Sequence, residues 1–215
     1  MKRIKRKQLK ENEFASAIKR LYFFFRRNAR KIAVGGGVIL FVGFVFLGAW
    51  VYQMHVAKKE SQKLNRILEL KSELGEKENA LAELKKLAGQ GKYSRLGYLY
   101  LASHWLEEGK LDKAKSALKQ IHQGKKDFIY YKAQDLMVQL LFHQEKYEKA
   151  IQICEKLEKQ NPKSYPRDVI LYRKAQAYEK NGDKKKALSI YKEIKENYSQ
   201  TFYGNDASQK MKSLE

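Results

Sequence analysis

The sequence predicts an all-α protein: a single N-terminal transmembrane helix, then a helical solenoid of about three repeats with a C-terminal closing helix. Three observations carry this. The chain has 215 residues with only 2 Pro and abundant Lys, Leu, Ala, Glu and Gln, a composition that favours helix over strand. Residues Ile32 to Tyr52 form a stretch of 21 without a charged side chain. After residue 95, three stretches repeat one pattern of small and large apolar residues. The single Cys cannot close an internal disulfide, and no Cys/His cluster has zinc spacing, so apolar packing has to hold the fold.

Residues 1–31 form a basic leader with 12 Lys/Arg against 2 Glu. Phe14, Ile18, Leu21, Tyr22 and Phe25 recur there at helical spacing beside Lys19, Arg20 and Arg26. Such a helix can lie on an anionic inner leaflet, which makes residues 14–31 a candidate lipid contact; a disordered basic tail that only enforces topology is the alternative. Residues 32–57 hold no Asp, Glu, Lys or Arg. At about 1.5 Å per residue, Ile32–Tyr52 spans roughly 30 Å, the thickness of a bilayer's hydrocarbon core. Trp50 and Tyr52 fall at one end, where such rings favour the headgroup level. A cleavable signal peptide would have a shorter apolar core and a small-x-small exit, so the segment is expected to stay attached. Its only small-xxx-small spacing is Ala33 with Gly37, a weak sign of helix dimerisation. The basic flank from Lys19 to Lys31 keeps the N-terminus in the cytoplasm, with the C-terminal domain across the membrane.

Residues 58–94 read as a helical linker and packing helix, with Leu64, Ile67, Leu68, Leu74, Leu81, Leu84 and Leu87, broken near Gly75. Three repeats follow over 95–201, at 95–128, 131–164 and 168–201. Each has a first apolar helix, a polar turn, and a second helix opened by a Lys-Ala pair, so that Ala114, Ala150 and Ala187 correspond. Small residues where helices touch include these alanines with Ala102 and Ala175. Large residues that fill the gaps are Trp105, Leu141 and Tyr178, then Leu118, Cys154 and Tyr191. Gly109 and Gly182 stand at the turns. The pattern resembles the tetratricopeptide repeat (TPR), a helix–turn–helix unit of about 34 residues. It departs from it at Val138 and Glu145, where a small residue and glycine are usual, and at Lys174, a usually apolar site. Residues 202–215, with Ala207, Met211 and Leu214 at helical spacing, read as the closing helix.

Nothing in the sequence carries enzyme chemistry. His55, His104, His122 and His143 make no close pair, and there is no glycine-rich phosphate loop, HExxH or GxSxG. No cofactor or metal is expected. Solenoids instead offer a concave face built by the first helix of each repeat. By repeat register, Leu99, Ser103, Asp135, Gln139, Tyr172 and Gln176 point into it, with Arg173 nearby. Chaperone-tail binders of this family carry Lys and Asn at the positions of Leu99 and Ser103, so a C-terminal carboxylate clamp is not expected. An extended or unfolded segment fits the apolar and amide lining better.

The order of parts sharpens the resemblance: AIKRLYFFFRRNARKIAVGGG, one anchor, a short helical region, then YLYLASHWLEEGKLDKAKSAL. It looks like the bacterial YfgM-like family, ancillary subunits of the SecYEG translocon, although residues 1–10 are basic where enterobacterial members have an acidic leader. The resemblance implies a single-pass protein of the bacterial inner membrane whose periplasmic domain partners translocon subunits, periplasmic chaperones or unfolded chains. The ending YSQTFYGNDASQKMKSL resembles envelope TPR proteins of outer-membrane assembly and division, which keeps an envelope scaffold open. An anionic-polymer binder is the third reading; no nucleic-acid motif accompanies the basic charge, and nucleic acid is not expected as a partner.

Overall fold

The computed structural model describes the chain except residues 1, 78, 122, 123 and 215 and, within the first helix, the side chains of 2–15, 17, 32, 33 and 36–40. All regular structure among the described residues is helical. The chain divides into two compact units, residues 1–59 and 60–215.

Helix α1, Lys2–Glu73, occupies the first unit and supplies the opening turns of the second. Its apolar block bears large side chains on every side, and Phe41, Phe44, Phe46, Trp50 and Tyr52 are all exposed. Among the described residues no helix is long and apolar enough to cross a membrane. The expected span of 32–57 includes residues 32, 33 and 36–40, whose side chains lie outside the described residues.

In the second unit α1 ends before Gly75, which takes φ +93°, and α2 follows at Ala80–Ala88. Ile67 and Leu70 of α1 are buried with Leu84 of α2 in a cluster that continues into the next helices. Arg66 grips the Glu83 carboxylate with two bonds of 2.8 and 2.5 Å. Three hairpins come next: α3 (Ser94–Glu107) with α4 (Leu111–Ile121), α5 (Phe128–His143) with α6 (Tyr147–Gln160), and α7 (Arg167–Lys180) with α8 (Lys184–Asn197). Helix α9, Phe202–Leu214, ends the stack.

Small residues set how closely these helices approach. Ala114, Ala150 and Ala187 open the second helix of each hairpin and are fully buried. Gly97 of α3 lies so near α2 that a Cβ there would stand 2.8 Å from the Ala88 Cβ. Gly204 of α9 lies against the Tyr198 carbonyl in the same way. The last hairpin would expose an apolar side if it ended the stack. Instead α9 packs on it, and Tyr172, Tyr191, Ile194 and Ala207 share one buried cluster.

Candidate functional site

The first helices α3, α5 and α7 place equivalent residues side by side. At one register stand Leu99, Asp135 and Tyr172, which are 6%, 2% and 4% exposed. One turn later stand Ser103, Gln139 and Gln176, each partly exposed. The inner face therefore has a buried floor and a half-exposed row of hydroxyl and amide groups. Of the seven residues expected to line it, Asp135, Gln139, Arg173 and Gln176 are joined by hydrogen bonds, while Leu99, Asp135 and Tyr172 are buried and form a floor rather than an open surface. Contact between successive first helices, α3 with α5 and α5 with α7, covers these positions, and α2 and α9 complete the burial of Leu99 and Tyr172 at the two ends.

The floor is charged at its centre. The Asp135 carboxylate accepts from Arg173 Nε at 2.6 Å, from Lys132 Nζ at 2.8 Å and from Gln139 Nε2 at 3.1 Å. Arg173 Nη1 donates in turn to Gln176 Oε1 at 2.8 Å. Burial by itself would raise the carboxyl, but the charges of Arg173 and Lys132 outweigh it and hold Asp135 below the ordinary aspartate value. Burial pushes the Tyr165 hydroxyl up, and the Asp135 charge beside it adds to the rise. Behind the network, Val138, Cys154, Leu157, Tyr165, Val169 and Ile170 enclose only about 10 Å³, at most the space of one water. Among the described residues the Gln139 carbonyl and the Gln176 amide NH₂ have no protein partner, leaving one acceptor and one donor on neighbouring helices.

The face has distinct ends. Beside Ser103, a depression of about 100 Å³ is lined by Lys71, Leu74, Tyr100, His104 and Glu107. Ser103 Oγ donates to Glu107 Oε1 at 3.0 Å, and Lys71 Nζ stands 5.1 Å from the Tyr100 ring centre. Lys71 and Tyr100 were not legible as site residues, because Lys71 belongs to α1, outside the repeats. At the other end the Tyr172 hydroxyl donates to Asp206 of α9. Glu179 accepts there from Tyr191 at 2.7 Å and Lys210 at 3.1 Å.

The expected repeat core is mostly interior: Ala102, Ala114, Leu118, Leu141, Ala150, Cys154, Ala175, Ala187 and Tyr191 are buried. Trp105 and Tyr178 are only partly so. They lie at hairpin edges, where Lys85 and Lys186 cover their rings at 5.6 and 5.1 Å and the Tyr178 hydroxyl donates to Glu155 at 3.0 Å. Lys174, at a position usually apolar, is paired with Glu158 at 2.7 Å. Burial pushes the Cys154 thiol up to about 12, which leaves it unreactive. No group of three His, Cys, Asp or Glu among the described residues could hold a metal ion.

Hairpins stacked through small residues and ended by a cap define a helical-repeat solenoid. A tetratricopeptide repeat-like domain family matches residues 23–170, more than half of the chain, and a tetratricopeptide repeat family matches residues 170–201. The chain belongs to the tetratricopeptide repeat-like domain family. No curated protein matches it. No solved structure matches it either. TPR domains are protein-interaction modules and are typically non-catalytic.

Proposed function

We propose that this chain is a membrane-anchored TPR protein whose inner face holds extended or partly folded polypeptide. The observation that carries the binding reading is the row Ser103, Gln139 and Gln176, one partly exposed polar group on each first helix. An extended peptide backbone alternates acceptors and donors. The free Gln139 carbonyl and Gln176 amide NH₂ offer the complementary pair, and the depression beside Ser103 has room for a side chain.

The anchor reading draws support from the charge-free run and from exposed apolar side chains all round that part of α1. The family match begins at residue 23, so the apolar block lies inside the part that family members share. With the basic flank inside, the domain stands on the periplasmic side of a bacterial inner membrane, beside the Sec translocon or among folding factors.

A photo-crosslinking residue at Gln139 or Gln176 tests the binding reading. It should capture translocating or partly folded chains, and Gln139→Ala with Gln176→Ala, which also removes hydrogen bonds to Asp135 and Arg173 and so lowers melting, should weaken capture at temperatures where the variant is still folded. Matched Lys→Gln changes at Lys184, Lys185 and Lys186 should do little. If those lysine changes abolish capture and the amide changes do not, the anionic-polymer reading replaces this one. Co-purification from gently solubilised membranes separates the translocon role from an envelope scaffold: translocon subunits and periplasmic chaperones should appear only under the first.

A further inference from the structure

The segment of α1 just before the apolar block has a cationic side, in which Phe23 also stands, and an apolar side. At about 100° per helical residue, Lys19, Arg20, Arg26, Arg27, Arg30 and Lys31 fall in one sector about 140° wide. Ile18, Leu21, Tyr22 and Phe25 fall in a sector about 100° wide on the opposite side. These four side chains are exposed, and residues 18–31 contain no Asp or Glu. Among the described residues none of the six cations is in an ion pair; Arg20 reaches only Ser16 Oγ at 3.5 Å.

A second feature follows directly in the chain. Gly35, Gly36 and Gly37 lie within the continuous α1, three residues in a row that favour helix less than any but proline. At Gly35 an added Cβ would meet nothing within 4 Å, and its φ is not positive. Neither packing nor backbone conformation requires glycine there. What it leaves is a weak place at which the helix axis can turn.

We propose that residues 18–31 lie along a bilayer surface of anionic phospholipid, and that Gly35–Gly37 is the hinge at which α1 turns from that surface into the apolar block. The geometry rests on the reading of 32–57 as an anchor. A bilayer surface satisfies both faces at once: Ile18, Leu21, Tyr22 and Phe25 sink to the acyl boundary while lipid phosphates surround the cationic flanks. A nucleic acid would engage the cations and leave the apolar face in water.

The test uses the full chain reconstituted into vesicles of phosphatidylcholine, alone or mixed with phosphatidylglycerol. A nitrobenzoxadiazole label is placed on Leu21→Cys or, on the opposite face, on Phe23→Cys; Cys154, buried with its thiol pushed up to about 12, stays unlabelled. In anionic vesicles, aqueous iodide should quench the Leu21 probe severalfold less than the Phe23 probe, because only the first is sunk at the acyl boundary. In phosphatidylcholine alone the two should be quenched alike. Changing the six cations to Gln, or Gly35, Gly36 and Gly37 to Ala, should abolish the difference. Equal quenching at the two positions in anionic vesicles overturns the proposal, and so does a difference that persists in neutral ones. Undiminished protection in the Ala variant overturns the hinge. Shielding of the Phe23 probe by added RNA, with Leu21 left open on anionic vesicles, assigns the cations to nucleic acid instead. A chain that fails to float with neutral vesicles refutes the anchor, while the two-probe contrast in anionic vesicles still decides the surface contact.

Discussion

Leu99 and Asp135 occupy the same register on successive first helices, and both are buried, yet their surroundings are opposite in kind. Leu99 belongs to an apolar cluster running from Ile67 of α1 to Leu140 of α5. Asp135 is a charge held by Arg173, Lys132 and Gln139. An apolar floor gains from area removed from water and tolerates sliding. A charged floor gains little net energy, because desolvation offsets attraction, but it penalises every arrangement that separates the partners. The first junction is thus held by area and the second by a specific pairing. That pairing also fixes the two amides that the inner face offers to a partner.

The largest expected effect comes from breaking the charged floor on one side only. Arg173→Ala leaves Asp135 buried beside Lys132, whose side chain is 35% exposed and compensates weakly, so the 60–215 unit should lose about 3–5 kcal/mol in urea denaturation. Replacing both partners by Leu should cost far less or nothing. If the single and double variants lose equally, the pairing does not set the junction. The same carboxylate predicts a pH response. Its folded value lies below the ordinary one, so its stabilisation is complete above the ordinary aspartate range and is lost as pH falls through the folded value. Asp135→Asn should flatten that acid limb of a stability profile, whereas Leu99→Ala should leave its shape unchanged.

Leu99→Ala sharpens the apolar side of the comparison, with an expected loss of about 2–5 kcal/mol from lost transfer energy and the cavity left behind. Gly97→Ala, one helix contact away, should cost about 1–3 kcal/mol by pressing a methyl onto Ala88. Thermal melting of the two variants ranks them, and a neutral Gly97→Ala would mean that α2 and α3 part without penalty.

The apolar half of the molecule was legible because its signal is periodic. Ala114, Ala150 and Ala187 mark the helix contacts in the sequence and are fully buried in the fold. Repeat register also marked Leu99, Asp135 and Tyr172 as equivalent positions, and all three are buried. It could not show that neighbouring first helices bury them, since burial depends on how closely the repeats stack. Register places Asp135 on the inner face but cannot show that it is ion-paired, because its partner Arg173 is 38 residues away, a distance at which no local pattern signals pairing. Gly97 and Gly204 escaped notice for a related reason: their requirement comes from Ala88 and Tyr198 on other segments. Lys71 entered the face from a helix that is not part of any repeat.

The smallest expected effect has the opposite sign and concerns the hairpin turns. All three turns close with the same pair of bonds: Gly109, Glu145 and Gly182 donate to Leu106, Phe142 and Glu179 at 3.1 Å, and the next residues, Lys110, Lys146 and Asp183, donate to Trp105, Leu141 and Tyr178 at 2.7–2.9 Å. This is the glycine-favouring termination of a helix, in which the donor residue takes the left-handed conformation. Gly109 and Gly182 do so freely at φ +71° and +88°, but Glu145 is held at +56° with a side chain attached. Left-handed backbone costs a non-glycine residue roughly 1–2 kcal/mol, and glycine gives back about 0.5–1 kcal/mol through the entropy of the unfolded chain. Glu145→Gly should therefore stabilise the 60–215 unit by about 0.5–1 kcal/mol, raising its melting temperature by roughly 1–4 °C. Glu145 also stands at the C-terminal end of α5, where a negative charge is unfavourable, so Glu145→Gln is the necessary control. It removes the charge and keeps the strain. If Gln stabilises as much as Gly, electrostatics at the helix end accounts for the gain; if Gly alone stabilises, the middle hairpin carries a backbone strain that the first and third avoid.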